Sequence, residues 1–423
     1  MLFRSKIVAQ IPTSALSDDT PVNVHNVINN PPDYLLKKWG WTENNLPEIN
    51  DQHISSLKGN KSFSYSEIIL KLLSNPSIAS KRWIYKQYDY QVQANTVFKP
   101  GNSDAAVIRL RIQNQKTKNK VFSGVAASVD CNSRWVSLDP YRGTIAAVAE
   151  SARNVSCVGA DPIAITNNLN FSSPETEIGY WQLSSSCDAI TEACKVLETP
   201  VTGGNVSLYN ESKNKDNEIT PINPTPVIGM VGKIDNVEKA ISSEWKNIDD
   251  QIWLIGSSKS EITIAASSYL EYFHGEITGR PPKIDLFDEK LCQGFLRNAI
   301  LNSFVVSSHD VSDGGLAIAL AECCILSEKG AVIELKNDYS RDDNLLFGEG
   351  GSRIIFSINK NKEKEWLNYL KKIQTNFNSS LYVKKIGYVS NDTLNIKIQD
   401  KNICNISVKD LSEKFNNSIS GHF

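Results

Sequence analysis

Three short polar runs, Asp130-Cys-Asn-Ser-Arg134, Thr166-Asn-Asn-Leu-Asn170 and Gly203-Gly-Asn-Val-Ser207, each stand at the end of a strand-like stretch. Most of their polar side chains are short and carry oxygen, and in the third run two adjacent glycines leave the backbone bare. Such groups suit phosphate oxygens and a hard cation such as Mg²⁺, which takes few protein oxygens and keeps several waters. Gly203 and Gly204 let the chain bend sharply, or let a ligand reach the main chain with no Cβ in the way. Ligands of sheet proteins gather where strand ends converge, so Asp130, Asn167 and Asn205 are expected to share one oxygen-rich site. The alternative is plain punctuation, a β-bulge followed by a turn built from residues that favour turns.

A second group is His309-Asp310 followed by Gly314-Gly315 at the start of a helical pattern. A glycine-rich helix N-terminus binds phosphate through free N–H groups and the helix dipole, so this turn reads as a phosphate cradle or as the seat of a proton donor. The competing expectation is that Ser312 or Asp313 caps the helix while His309 hydrogen-bonds nearby. The Gly348-Glu-Gly-Gly-Ser-Arg353 turn has the composition of an anion-binding nest, or simply joins two strands. There is no GxxxxGK[ST] loop, no GxSxG elbow and no HExxH helix.

These residues need elements to aim them. Ala105–Ile112 and Val121–Asp130 alternate as strands, and Pro140–Val158 carries Ile145, Val148, Ala149, Ala152 and Val155 on one helical face. Gly159 and Pro162 end that helix. A strand over 162–171 leads to Ser173-Pro174 with Glu175 and Glu177, where Ser173 is expected to cap the next helix. Leu183, Cys187, Ile190, Cys194 and Leu197 then recur on one face. The glycine pair is expected to break the strand that follows, and 224–234 reads as a buried strand. Beyond about 236, strands are expected at 251–256, 304–310, 331–335, 352–359, 382–389 and 394–398, with helices near 261–272, 285–303 and 361–373 and behind Gly315. Tyr65–Leu73 has helical spacing, and Ser5–Pro12 reads as a strand belonging to an earlier domain. The Pro- and Asn-rich stretch between is a linker expected to dock through Trp39 and Trp41. The mixture is α/β in composition and α+β in topology.

A chain of 423 residues suggests two or three domains. A formal charge of −2 argues against a broad nucleic-acid surface, and no apolar run is long enough to cross a bilayer. Eight cysteines without a CxxC pair read as buried small side chains or free thiols in a reducing compartment, hence the cytoplasm.

Val136-Ser-Leu-Asp-Pro-Tyr-Arg-Gly143, Ala149-Glu-Ser-Ala-Arg-Asn154, Gly159-Ala-Asp-Pro-Ile163, Glu198-Thr-Pro-Val-Thr-Gly-Gly-Asn-Val-Ser-Leu-Tyr-Asn210, Pro224-Thr-Pro-Val-Ile-Gly-Met-Val-Gly232 and His309-Asp-Val-Ser-Asp-Gly-Gly-Leu316 resemble the second half of the phosphoribosylformylglycinamidine synthase family, small type. The resemblance runs over nearly the whole chain. It implies the second repeat of a two-repeat ATP-dependent synthetase: 1–61 as the tail of a preceding domain plus linker, 62–235 as a barrel-forming ATP- and Mg²⁺-binding half, and 236–423 as an α/β sandwich half. The implied reaction converts formylglycinamide ribonucleotide and ammonia to the amidine in purine biosynthesis. The ammonia comes from a glutaminase subunit, a small accessory subunit belongs to the assembly, and neither nucleic acid nor membrane is involved.

Position by position, the resemblance makes Asn167 and Gly204 ATP contacts, Asn205 a Mg²⁺ ligand and Ser207 a substrate contact. Asn167 departs from the aspartate common at that place. The catalytic groups are assigned to the N-terminal half, so this chain alone is expected to be inactive, and His309 to be vestigial or structural. Two other readings stand beside this one: a non-catalytic nucleotide-binding scaffold half, and a related ATP-dependent small-molecule kinase.

Overall fold

Alternation of apolar and polar residues between 106 and 234 produces a five-stranded sheet in the computed structural model. The structure describes residues 2–422 apart from 4–5, 23, 25–26, 29, 51–52, 60, 112–121, 337–340 and 375–379. The spatial order is Ala106–Arg109, Gly124–Asp130, Thr225–Ile234, Asp161–Asn170, Val201–Ser207. Every neighbouring pair is antiparallel except the last, which is parallel. The expected ends of the first two strands, Ile112 and Val121, lie outside the described residues.

One face of this sheet is covered by the Pro140–Cys157 and Glu177–Leu197 helices. Asp139 caps the first through the Arg142 N–H, with Pro140 in its first turn, and Gly159 at φ +85° turns the chain away after it. Gly143 is required by packing: a Cβ there would lie 2.5 Å from the Val136 backbone nitrogen. The cap of the second helix is Thr176. Ser173 stands before it, because the chain needs the Ser173–Thr176 turn to swing clear of the sheet. Cys187, expected in the apolar stripe, is exposed, since Ser186, Ala189 and Ala193 bring smaller side chains onto the buried face.

The second unit is a seven-stranded mixed sheet in the order Val305–Asp310, Ile354–Ile358, Gln251–Ser257, Leu381–Ser390, Gly330–Leu335, Thr393–Ile398, Lys401–Ser407. The Gln251–Ser257 strand is buried along its whole length because both faces are clad in helices. Ile252 and Leu254 point into the cluster beneath the Gly315–Ser327 helix, whereas Trp253 and Ile255 meet Phe295 and Trp366 of the Leu286–Leu301 and Glu363–Gln374 helices.

Three expectations differ from the structure here. Residues 261–272 form a two-residue strand, Ile262–Thr263, and then enter a short, wide π-helical turn, Leu270–His274. The chain also adds a strand and the Val408–Asn417 helix after 400, which the sequence pattern did not signal. The Tyr65–Leu73 helix, placed by sequence with the first unit, buries Tyr65, Ile68, Ile69, Leu72 and Leu73 in the core of the second.

The linker docks as expected. Trp39 donates its indole N–H to the Leu138 carbonyl at 2.8 Å and lies under Arg280, 4.0 Å from the ring centre. Near the start, Lys6–Ile7 pairs with Leu2–Phe3, and among the described residues the run from Val8 to Pro12 is not strand; Ser5 is outside them. The Pro140–Cys157 helix and the Leu286–Leu301 helix pack together, which locks the two units to each other. No helix among the described residues is long and apolar enough to cross a membrane.

Candidate functional site

The Val201–Ser207 strand is an edge strand and is exposed along nearly its whole length. Contrary to expectation, the glycine pair does not break it. The irregularity is a one-residue bulge at Thr202, after which Gly203, Gly204, Asn205 and Ser207 align with Thr166, Asn167, Asn168 and Asn170. A Cβ on Gly204 would lie 2.0 Å from Asn167 Oδ1, so glycine is there to make room for that amide. Asn205 donates from Nδ2 to Asn168 Oδ1 at 3.1 Å. Ser207 donates to Asn210 Oδ1 at 3.3 Å, and Asn210 is held by the Phe171 and Ser207 carbonyls. Asn167 and Gly204 thus meet on the helix-facing side of adjoining strand ends, while Asn205 and Ser207 share the open side.

Asp130 is not part of that group. Asp130, Ile228 and Asn167 form one row across three strands and so share the helix-facing side, whereas Asn205 with Asn168 points to the opposite, open side. The single shared site expected for Asp130, Asn167 and Asn205 is therefore split in two by the pleat.

Asp130 belongs to a cleft of about 860 Å³ between the two units. Its floor carries Asp130, Glu150, Asp310, Asp104 and His309, and its rim carries Lys81, Arg82, Lys86 and Lys99. Arg153 is buried beneath, paired with Asp310 and, at 2.8 Å, with Glu289. Asn154 donates to Asp130 Oδ1 at 2.9 Å. Asp130 Oδ2 and Asp310 Oδ2 are buried without a hydrogen-bond partner. Burial and the nearby Asp310 carboxylate push Asp130 up to about 7. Burial together with Asp130 and Asp310 raises Glu150 well above the usual carboxylate range. Asp310 is also raised, by burial, against the pull of Arg153.

His309 is a tie and not a free base. Its Nδ1 meets Asp104 at 2.7 Å and its Nε2 meets Glu322 at 3.2 Å. Burial alone would lower its pKa, but the two carboxylates outweigh it and hold the ring protonated well above its usual range. In return the imidazolium, with Ser243 and the Asp310 N–H, keeps Asp104 below the ordinary carboxylate value despite burial.

The two glycine turns also differ from expectation. Neither Ser312 nor Asp313 caps the Gly315–Ser327 helix; Gly314, at φ +80°, sits at the cap. Its N–H donates at 2.8 Å to Glu349. The Gly348–Arg353 turn presents carbonyls inward, and Arg353 donates to Gly350 O and Gly348 O, so it holds a cation where an anion was expected.

Sequence reasoning assigned no role to Glu150 and Arg153 or to Lys81, Arg82, Glu322 and Glu349. A signal was there for the first two: with Asn154 they form a polar stripe at helical spacing in an otherwise alanine-rich buried helix.

Residues 102–234 match the family model for the AIR synthase related protein N-terminal domain, and residues 247–393 match that for its C-terminal domain. The chain belongs to the AIR synthase related family. Over 420 residues it is 86% identical to the phosphoribosylformylglycinamidine synthase subunit PurL of Prochlorococcus marinus strain MIT 9312, a match covering 99% of this chain and 54% of the relative. That identity bears out the resemblance seen in the motifs. The chain spans about half the length of the curated relatives it matches.

Among solved structures, T. maritima PurL complexed with FGAR aligns with a TM-score of 0.61 at 14% identity, covering 82% of this chain and 53% of that one. T. maritima PurL complexed with ATP gives 0.56 at 15%, covering 81% and 52%. The structure of PurLQS from Thermotoga maritima gives 0.53 at 17%, covering 69% and 45%. At these identities the likeness is one of fold.

Proposed function

We propose that this chain provides one half of an ATP-dependent synthetase that converts formylglycinamide ribonucleotide and ammonia to the amidine in purine biosynthesis. The observation that carries the reading is the Val201–Ser207 edge strand, whose Asn205 and Ser207 face a sheet side that nothing among the described residues covers. Such an arrangement is half of a site. Asn205 offers an oxygen to Mg²⁺ and Ser207 contacts substrate from that open side, while Gly204 and Asn167, paired at the same strand ends, contact ATP. Asn205 suits a hard cation, because tying its Nδ2 to Asn168 leaves Oδ1 as the ligand atom. The catalytic groups, the other half of the synthetase, a glutaminase subunit and a small accessory subunit come from outside this chain; that the fold is shared with a PurLQS structure from Thermotoga maritima supports such an assembly.

Two measurements test this reading. The purified 423-residue chain should form no amidine from ATP, substrate and ammonia, and turnover above background would overturn the half-site. In the full-length enzyme, Asn205→Ala should weaken Mg-ATP binding roughly tenfold, the equivalent of about 1.4 kcal/mol, while leaving the unfolding midpoint nearly unchanged. Normal nucleotide binding with an easily unfolded variant would instead make the strand a bulge and nothing more.

The cleft favours a second role, that of a nucleotide-binding scaffold. Its unpartnered Asp130 and Asp310 oxygens fit a divalent cation, and Arg82, Lys86 and Lys99 of its rim fit phosphate, Lys81 being tied to backbone carbonyls. Among the described residues no three His, Cys, Asp or Glu side chains converge as a metal site. A cation there would complete its shell with water or phosphate oxygens, as Mg²⁺ does. Titration calorimetry of the chain with ADP should show binding that requires Mg²⁺ and is lost in Asp130→Asn. Binding that is indifferent to Mg²⁺ and to this variant would remove the scaffold role.

A further inference from the structure

The Gly314–Gly315 turn has the makings of an anion site, and it is already full. The Glu349 carboxylate, 1% exposed, accepts from the Ser268 N–H at 2.8 Å and the Gly314 N–H at 2.8 Å through one oxygen. Its other oxygen faces Arg134 Nη2 at 3.4 Å. Two backbone N–H donors, a guanidinium and a helix N-terminus are the elements with which proteins hold phosphate or carboxylate ligands.

The backbone explains why this carboxylate is the occupant. A Cβ on Gly315 would lie 2.6 Å from Gly348 O, so the two glycine turns meet main chain to main chain. Glu349 pairs with Thr263 in a short antiparallel bridge, which fixes its position beside Ser268. Arg134 is itself spoken for: it donates to Ala266 O at 2.8 Å and Ser268 Oγ at 3.0 Å, and pairs with Glu271 at 2.7 Å and Asp313 at 3.4 Å. Three carboxylates thus surround one guanidinium, a field that repels any further anion.

We propose that Glu349 is a specificity-determining residue: an internal ligand that seals this nest and keeps phosphate- and carboxylate-bearing small molecules out of it. Anionic ligands of this chain are thereby confined to the strand end and the cleft. The inference is independent of the synthetase reading, since it concerns only which anions the turn admits.

Thermal unfolding of the whole chain in sodium formate and in sodium chloride at equal ionic strength tests it, with wild type, Glu349→Ala and Glu349→Gln compared. Removing the carboxylate leaves two buried N–H donors unpaired, so Glu349→Ala should melt lower in chloride. Formate should restore it by several degrees with a saturable concentration dependence. Wild type and Glu349→Gln, whose amide oxygen still fills the nest, should melt alike in the two salts. Should Glu349→Ala fail to fold in chloride, recovery of soluble, folded protein on refolding in formate gives the same answer. Absence of formate rescue in both measurements overturns the proposal, as does an equal formate effect on all three proteins.

Discussion

Asp130 and His274 are buried ionisable side chains whose shifts run in opposite directions. Asp130 moves from its ordinary 3.8 to about 7, chiefly through burial. Between those values the native state holds a proton that the unfolded chain has released, so this group makes stability fall as pH rises from about 4 to 7. His274 moves from 6.5 to about 4, again through burial. Here the unfolded chain binds the proton that the native state refuses, so stability falls as pH drops from 6.5 towards 4. Denaturation midpoints measured from pH 4 to 8 should therefore tilt in opposite senses in two variants. Asp130→Asn should make stability rise more steeply with pH, and His274→Gln should make it rise less. A common tilt in both would mean that neither burial governs the titration. The position of Asp130 at a strand end was legible in the sequence. Its separation from Asn205 was not, because the side of the pleat depends on register with Thr225–Ile234.

At the scale of elements, the Pro140–Cys157 helix does the positioning. It carries Glu150 and Asn154 into the cleft and Arg153 beneath it, while its apolar side lies on the sheet. Its tight approach to the Ser133–Leu138 turn of helix depends on Gly143. Gly143→Ala should cost about 1–3 kcal/mol through overpacking against backbone that cannot give way, read as a lowered urea midpoint with an unchanged m-value. An unperturbed midpoint would mean that the Ser133–Leu138 segment shifts freely, and that the Asn132 and Arg134 contacts around Asp313 are correspondingly loose. The helix itself and its stop were readable from the Pro140–Val158 pattern and Gly159; its Asp139 cap was not read. The Glu177–Leu197 cap was misplaced by three residues because two residue types that favour caps, Ser173 and Thr176, stand close together and only the path of the turn chooses between them.

For the whole molecule, the dominant feature is the uncovered side of the five-stranded sheet. Ile108 is 48% exposed and Val129 72% exposed, with Ala127, Val227 and Val231 on the same side. Apolar sheet faces of this kind seek a partner. The chain is accordingly expected to self-associate through residues 100–235, as a homodimer closing its own sheet or as larger aggregates. Light scattering on dilute protein checks this, and a stable monomer at micromolar concentration would show that the open face needs no counterpart.

By itself the sequence determined the local elements and the family, because caps, glycines, alternation and the Glu198–Asn210 motif are properties of neighbouring residues. It also named Asn167, Gly204, Asn205 and Ser207, which register then set at adjoining strand ends, on the two sides of the pleat. Only the tertiary structure decided what distant residues do to one another. The Tyr65–Leu73 helix joined the second unit because that core had the apolar surface left to bury. His309 became a protonated tie because Asp104 and Glu322, on separate elements, close on its two nitrogens. The glycine turn that reads as a phosphate cradle was filled by Glu349, since a carboxylate from an adjoining turn satisfies the same buried donors that an outside anion would.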